Sequence, residues 1–385
     1  MRIPLLARIV AAIALGIILG RLLPEQAVAV FTTFNAVFAV FLKFLIPLII
    51  VGLVTPAIAD IGKSAGRLLL ITVCIAYGST VLSGFFSYAV SSNVFPSLIT
   101  SGGALAAVEE GSQTVAPYFT LAIPPLLDVM SALVLAFIAG LGMAYIGLPR
   151  LKGVADDFKQ LVEKTIGVAV IPLLPLYIFG IFLEMTRTGQ AWHIIKTFAA
   201  IIGVIFAMHI LLLVVQYLLA GIIVRRNPLR LLYTMLPAYF TALGTSSSAA
   251  TIPVTRRQVM RMGVSEDVAG FAIPLCATIH MSGSCMKITA CAVALMLMQG
   301  LPFTTTMFIG FVLMLGVMMV ASPGVPGGAI MASLGVLSTM LGFGEQDCAL
   351  MIALYIAMDS FGTACNVTGD GAIALVVDRI NSKAA

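Results

Sequence analysis

From residue 4 onward the chain is a succession of apolar stretches long enough to cross a bilayer, and this fixes the solvent in which most of it folds. About 20 predominantly apolar residues span a hydrocarbon core. Six unbroken stretches come first, at 4–23, 29–59, 67–92, 122–148, 162–187 and 192–225. The first apolar run, Ile9 to Leu23, closes on Arg21 and Pro24 without a small-residue cleavage site, so it reads as a span and not a removable leader. Composition agrees: 61% of the 385 residues are hydrophobic and 10% are charged, where a soluble domain carries about a quarter charged.

The net charge of +5 is not a nucleic-acid footprint, because the bases sit in short clusters between the apolar stretches. These are Arg2 and Arg8; Lys63 and Arg67; Arg150 and Lys152; Arg225, Arg226 and Arg230; Arg256, Arg257 and Arg261; Arg379 and Lys383. The segment from Ser91 to Pro117 holds Glu109 and Glu110 and no base. Lys and Arg mark the cytoplasmic side. An N-terminus inside puts every basic cluster on that side and the acidic segment outside. Both termini are then cytoplasmic. The six cysteines (74, 276, 285, 291, 348 and 365) form no CxxC and lie mostly in apolar runs. They read as small buried hydrophobes, with no metal or redox chemistry.

After Arg230 the apolar stretches are broken at their middles. Residues 231–255 are interrupted by Gly244-Thr245-Ser246-Ser247-Ser248-Ala249-Ala250, with bases at both ends. Both ends are therefore inside, which predicts a re-entrant hairpin. Residues 303–343 are interrupted by Ser322-Pro323-Gly324-Val325-Pro326-Gly327-Gly328 and have no basic flanks, as expected of a hairpin entering from outside. Between them, 266–299 breaks at His280-Met281-Ser282-Gly283-Ser284, and the last span, 347–378, contains Asp359, Thr363, Asn366, Gly369 and Asp370. Non-helical backbone at membrane depth is tolerated only where protein buries it or it lines a cavity. Two opposed hairpins, each followed by a polar-centred span, form an inverted repeat. Such repeats put substrate and ion sites at the midplane of a transporter. A channel is the competing reading, although pores usually show rings of repeated polar residues. An enzyme is disfavoured, because no nucleophile–His–acid set or His/Cys metal cluster is evident.

Two features carry chemistry on their own. A serine in a membrane helix ordinarily back-bonds a carbonyl or packs at a small-residue contact. A run of hydroxyls on a re-entrant tip can instead hold a carboxylate, aided by freed N–H groups at a half-helix N-terminus. Asp359 and Asp370 are intramembrane carboxylates, which cost on the order of 3 kcal/mol even on lenient scales and are functional by default. The plainer alternative is a structural pair with a buried base.

Four ordered motifs resemble the dicarboxylate/amino acid:cation symporter family, which includes glutamate and neutral amino acid transporters. GTSSSAATIPVT (244–255) resembles its first-hairpin motif, PLCATIHMSGS (274–284) its broken seventh helix, GVPGG (324–328) its second-hairpin tip and DSFGTACNVTGD (359–370) its eighth-helix site. The resemblance implies an all-α polytopic membrane protein with eight transmembrane helices, two re-entrant hairpins and an elevator fold. It implies a homotrimer in the cell (plasma or inner) membrane that carries a small amino acid with sodium. Residues 1–65 and 122–188 would be scaffold. Residues 66–121 would hold the third helix of the transport domain and an extracellular loop. Residues 189–227 would be the sixth helix and 228–385 the transport core.

By the same resemblance, Ser246, Ser247, Ser248, Ser284, Val325, Ala329, Asp359, Gly362, Thr363 and Asn366 would surround the substrate. Asp359 would bind its amino group, with Thr363 and Asn366 contacting its amino and carboxylate groups. Backbone carbonyls of Cys276, His280 and Asn366, with Asp370, would form one sodium site. Backbone oxygens of Thr278, Met319, Val320 and Ser322, near Met281, would form a second. Hard oxygen ligands suit a small hard cation.

Three departures bear on substrate and coupling. Gly362 stands where acidic amino acid carriers place an arginine that grips the side-chain carboxylate. With Asp359 kept, this favours an amine-bearing substrate with a neutral side chain, such as serine, threonine or alanine. His280 and Ser282 replace the family's Asn and Asp, which puts a third sodium site in doubt. His280 reads as a hydrogen-bonded structural residue, with proton coupling the alternative. Lys287 stands where an aromatic residue is common. A buried lysine needs a partner. It could pair with Asp359 or Asp370, act as a built-in cation, replace the missing arginine and so admit acidic substrates, or snorkel outward.

Overall fold

The computed structural model describes residues 5–63, 67–99, 115–189, 191–322 and 327–382. Among these residues the secondary structure is entirely helical. The first half forms α1 (Leu5–Gly20), α2 (Glu25–Lys63), α3 (Arg67–Leu98), α4 (Val129–Ile146), α5 (Pro149–Thr165), α6 (Ile171–Arg187) and α7 (Ala191–Val224). A π-helical turn, Ile166–Val170, joins α5 to α6, so one continuous helical stretch runs from Pro149 to Arg187.

That stretch begins 13 residues before the span expected at 162–187, and the reason is physical. Residues 149–165 are too polar to register as apolar, yet Pro149 in the first turn supplies a ready start and the sequence is rich in helix formers. Lys152 ties α5 to α2 through Asp60 at 2.9 Å. The remaining early spans lie within a few residues of their expected positions, apart from the late start of α4.

The second half is built of half-length helices in pairs. They are α8 (Pro228–Thr245) and α9 (Ser248–Arg261), α10 (Glu266–Ile279) and α11 (Ser282–Gln299), α12 (Thr305–Val320) and α13 (Gly328–Leu341), and α14 (Glu345–Ala357) and α15 (Asp359–Ser382). Every expected break coincides with a helix end. The members of the first and third pairs pack on each other, as hairpins must. The axis turns by 63° between α14 and α15.

Packing follows two associations. The helices α1, α2, α4, α5 and α6 hold together through α2 on α4 and α1 on α6. The helices α3 and α7–α15 hold together around α11 and α15. The α10–α11 span is 94% buried in its most apolar window, whereas α4 is 28% buried in its own. A buried span can tolerate polar residues, because protein partners replace the lipid around them. Six helices or helical stretches are long and apolar enough to cross a membrane among the described residues, and the bent α14–α15 pair makes a seventh.

Cys276, Cys285, Cys291 and Cys365 are buried as small hydrophobes, Cys348 is half-buried, and Cys74 is exposed on α3.

Candidate substrate and cation site

The tip between α8 and α9 is a two-residue turn. Ser246 closes α8 in the left-handed region (φ 50°), and Ser247 caps α9 by accepting the Ala250 N–H at 3.3 Å. The cap occupies the Ser247 hydroxyl. Ser246 Oγ meets Ser360 Oγ at 2.7 Å, which fastens the tip to the first turn of α15.

The α10–α11 break is held open by side chains from two other helices. Asn366 Oδ1 accepts the N–H groups of Gly283 (2.8 Å) and Ser284 (3.4 Å), orphan donors of the first turn of α11. Its Nδ2 donates to Ser284 Oγ at 3.2 Å. On the other side, Ser83 donates to the Ser282 carbonyl (2.8 Å), Ser87 to the Met286 carbonyl (2.7 Å), and Thr80 Oγ1 accepts the Met281 N–H (3.3 Å). A Cβ on Gly283 would fall 2.7 Å from the Gly362 carbonyl oxygen, so a residue without a side chain lets α11 and α15 touch here.

At the α14–α15 break, Asp359 Oδ2 accepts the Gly327 N–H at 2.9 Å from the second hairpin, and Oδ1 lies 3.5 Å from Lys287 Nζ. Lys287 is fully buried on α11, so snorkelling is overturned. Its ammonium also donates to the carbonyls of Tyr355 (3.3 Å) and Met358 (3.4 Å) and stands 3.4 Å above the centre of the Tyr355 ring. Those carbonyls belong to the C-terminal end of α14, where the helix dipole favours a cation. Of the two aspartates expected as possible partners, Lys287 takes Asp359.

Asp370 pairs with His280 instead, Oδ1 to Nδ1 at 2.8 Å, with both side chains almost fully buried. His280 Nε2 lies 3.1 Å from Ser79 Oγ, so both ring nitrogens have partners. Gln216 Nε2 donates to Ser79 Oγ (3.2 Å) and Ser282 Oγ (3.1 Å), which completes a polar cluster among α3, α7, α11 and α15.

The breaks meet around a cavity of about 30 Å³. Its walls include seven residues expected at the substrate: Ser246, Ser248, Ser284, Ala329, Asp359, Thr363 and Asn366. Met281 and Ser322, expected near the second cation, line it as well. Ser247 and Gly362 do not; the first caps α9 and the second faces Lys287. Val325 lies outside the described residues. A space of this size has room for a water or two among its polar groups. Of the cation residues, Cys276 and Thr278 lie in the last turn of α10, and Met319 and Val320 in the last turn of α12. Carbonyls at C-terminal helix ends carry partial negative charge, which suits a small hard cation; those of Cys276 and Met319 also accept the N–H groups of His280 (2.9 Å) and Ser322 (3.3 Å).

Tyr355 was not legible as a site residue, yet it lines the cavity and meets Ser284 Oγ at 3.0 Å through its hydroxyl. Its signal was a single hydroxyl in the apolar run of α14, one turn before Asp359. The α3 hydroxyls were missed as well, although Ser79, Ser83 and Ser87 recur every four residues on one helix face.

All four broken elements thus direct their polar groups to one place inside an apolar helical protein. The model of the sodium:dicarboxylate symporter family matches residues 5–380. The chain belongs to that family. Its members are transporters, and with several apolar helices the protein is a multi-pass membrane protein. Among curated proteins it is similar to the serine/threonine transporter SstT of Acinetobacter baumannii, at 27% identity over 98% of this chain and 97% of the relative. It is similar also to the serine/threonine transporter SstT of Acinetobacter baylyi, at 24% identity over 98% of each chain.

Proposed function

We propose that the protein is a secondary active symporter that couples sodium influx to uptake of a small neutral amino acid, serine, threonine or alanine. The observation that carries this reading is the cavity itself: a carboxylate at Asp359 for an ammonium, hydroxyls and an amide for a carboxylate, and no arginine at position 362 for a side-chain acid. The names of the relatives, serine/threonine transporters, point the same way.

In this reading Asp359 and Thr363 take the substrate's amino group, while Ser246, Ser248 and Asn366 take its carboxylate. Asp370 with the carbonyls of Cys276, His280 and Asn366 takes one sodium ion. The carbonyls of Thr278, Met319, Val320 and Ser322 take a second. The helices of 1–65 and 122–188 form a fixed scaffold in a homotrimer, and 66–121, 189–227 and 228–385 move across the membrane as an elevator. The protein works in the cell membrane with both termini in the cytoplasm.

A second reading, transport of an acidic amino acid or dicarboxylate, draws on one observation. Lys287 stands where a side chain at position 362 would reach, so a cation is present close to the arginine's place. Against it, Lys287 does not line the cavity, and its donors face Tyr355, Met358 and Asp359. A thermal-shift screen of amino acids and dicarboxylates, with and without sodium, separates the two. Stabilisation by serine, threonine or alanine in sodium alone supports the first; stabilisation by aspartate, glutamate or succinate alone refutes it.

A further inference from the structure

We infer that Lys287 is a tethered counter-ion, holding the charge of Asp359 in the empty carrier and yielding it to the ammonium of an arriving substrate. This rests on the proposed reading that an amine-bearing substrate meets Asp359. It adds a residue that acts when no substrate is bound.

The two ends of the pair are unequally supported. Asp359 lines the cavity and Lys287 lies behind it, so the carboxylate stands between substrate space and lysine. Lys287 has two carbonyls and the Tyr355 ring besides Asp359, all within 3.4 Å. Its other titratable neighbours are the thiols of Cys291 and Cys365 and the imidazole of His209. Turned away from Asp359, the ammonium keeps three of its four partners. Asp359, turned away from Lys287, keeps the Gly327 N–H and the nearby Tyr355 hydroxyl, and has no countercharge among the described residues.

The Lys287–Asp359 contact is also long. Charge-assisted N–H···O⁻ bonds sit near 2.7–2.9 Å. At 3.5 Å the pair balances charge without locking geometry, as a pair that must open in each cycle requires. Position 362 makes it possible, since a Cβ there would lie 2.8 Å from Nζ.

The consequence falls on one half of the transport cycle. The loaded site is balanced by the substrate's ammonium. The empty site, without Lys287, would carry a bare carboxylate through the membrane interior, which is costly. Exchange of substrate across the membrane uses only loaded crossings, whereas net uptake also needs the empty return.

The experiment compares wild type and Lys287→Met in proteoliposomes, measuring exchange of internal for external serine and net uptake into serine-free vesicles. Net uptake should fall about tenfold or more beyond any fall in exchange, since an unpaired buried charge is strongly penalised. Equal losses in both, or no loss in either, overturn the inference. Thermal melting of detergent-solubilised Lys287→Met, Asp359→Asn and the double variant tests the pairing without substrate. Lys287→Met should melt lower and the double variant should recover, even if the single variant folds poorly. No recovery assigns Lys287 to the α14 carbonyls alone and overturns the inference. Wild-type protein that moves no neutral amino acid in either assay counts against the substrate reading, and the melting cycle then decides the pairing.

Discussion

Lys287 Nζ stands 2.8 Å from the point where a Cβ on Gly362 would sit. The two positions share one volume: a side chain at 362 and a lysine at 287 exclude each other as they stand. Gly362→Arg alone should therefore lower stability and uptake of every substrate. Gly362→Arg combined with Lys287→Met frees the space and offers a fork to a carboxylate. That double variant should lose serine or alanine and gain aspartate or glutamate by roughly ten- to a hundredfold, the size of a charge-assisted pair. Competition assays in proteoliposomes check it. A double variant that still prefers serine would contradict the geometry.

Asp359→Asn removes the anion expected to meet the substrate ammonium and leaves Lys287 buried without a countercharge. Breaking one side of a buried pair costs on the order of 3–5 kcal/mol, so melting should fall together with uptake. Uptake should fall about a hundredfold or more in protein that remains folded at low temperature. Unchanged serine uptake would remove Asp359 from the substrate.

Asp370→Asn keeps the shape beside His280 and deletes the charge. Sodium should then activate uptake at higher concentration, by about tenfold or more, while the order in which amino acids compete stays the same. A sodium activation curve matching wild type would assign Asp370 to the His280 cluster and not to a cation.

Gly283→Ala pushes a methyl group to within 2.7 Å of the Gly362 carbonyl oxygen, a backbone atom that cannot swing aside. Overpacking of this kind costs about 1–3 kcal/mol. Gly203→Ala in α7 meets nothing within 4 Å and should be neutral or stabilising, by up to about 1 kcal/mol. Melting temperatures of the two variants side by side test whether α11 and α15 touch at Gly283. Equal behaviour would contradict it.

Much of the architecture was legible because membrane folding writes itself in hydropathy. The breaks at 246–247, at 280–281 and between Val320 and Gly328 fall in runs of Ser, Gly and Pro that no uninterrupted apolar span would carry, whereas the break at Met358 has no such run before it and divides what reads from sequence as one span, 347–378. Two kinds of information were not legible. The polar start at Pro149 was hidden because hydropathy reports solvent, not helicity. The partners of Lys287 and His280 were hidden because they depend on how three helices cross. From sequence, Lys287 had two aspartates within plausible reach. Only the crossing of α11 with the α14–α15 break assigns Asp359 to the lysine and leaves Asp370 to the histidine.

The measurement that tests the central claim most directly is uptake by purified protein in liposomes, with an inward sodium gradient imposed or withheld. Labelled serine, threonine and alanine should accumulate above their external concentration only while the gradient lasts, and excess aspartate, glutamate or succinate should not compete. Accumulation of acidic substrates with neutral ones excluded, or neutral uptake that only equilibrates and ignores sodium, would contradict the account.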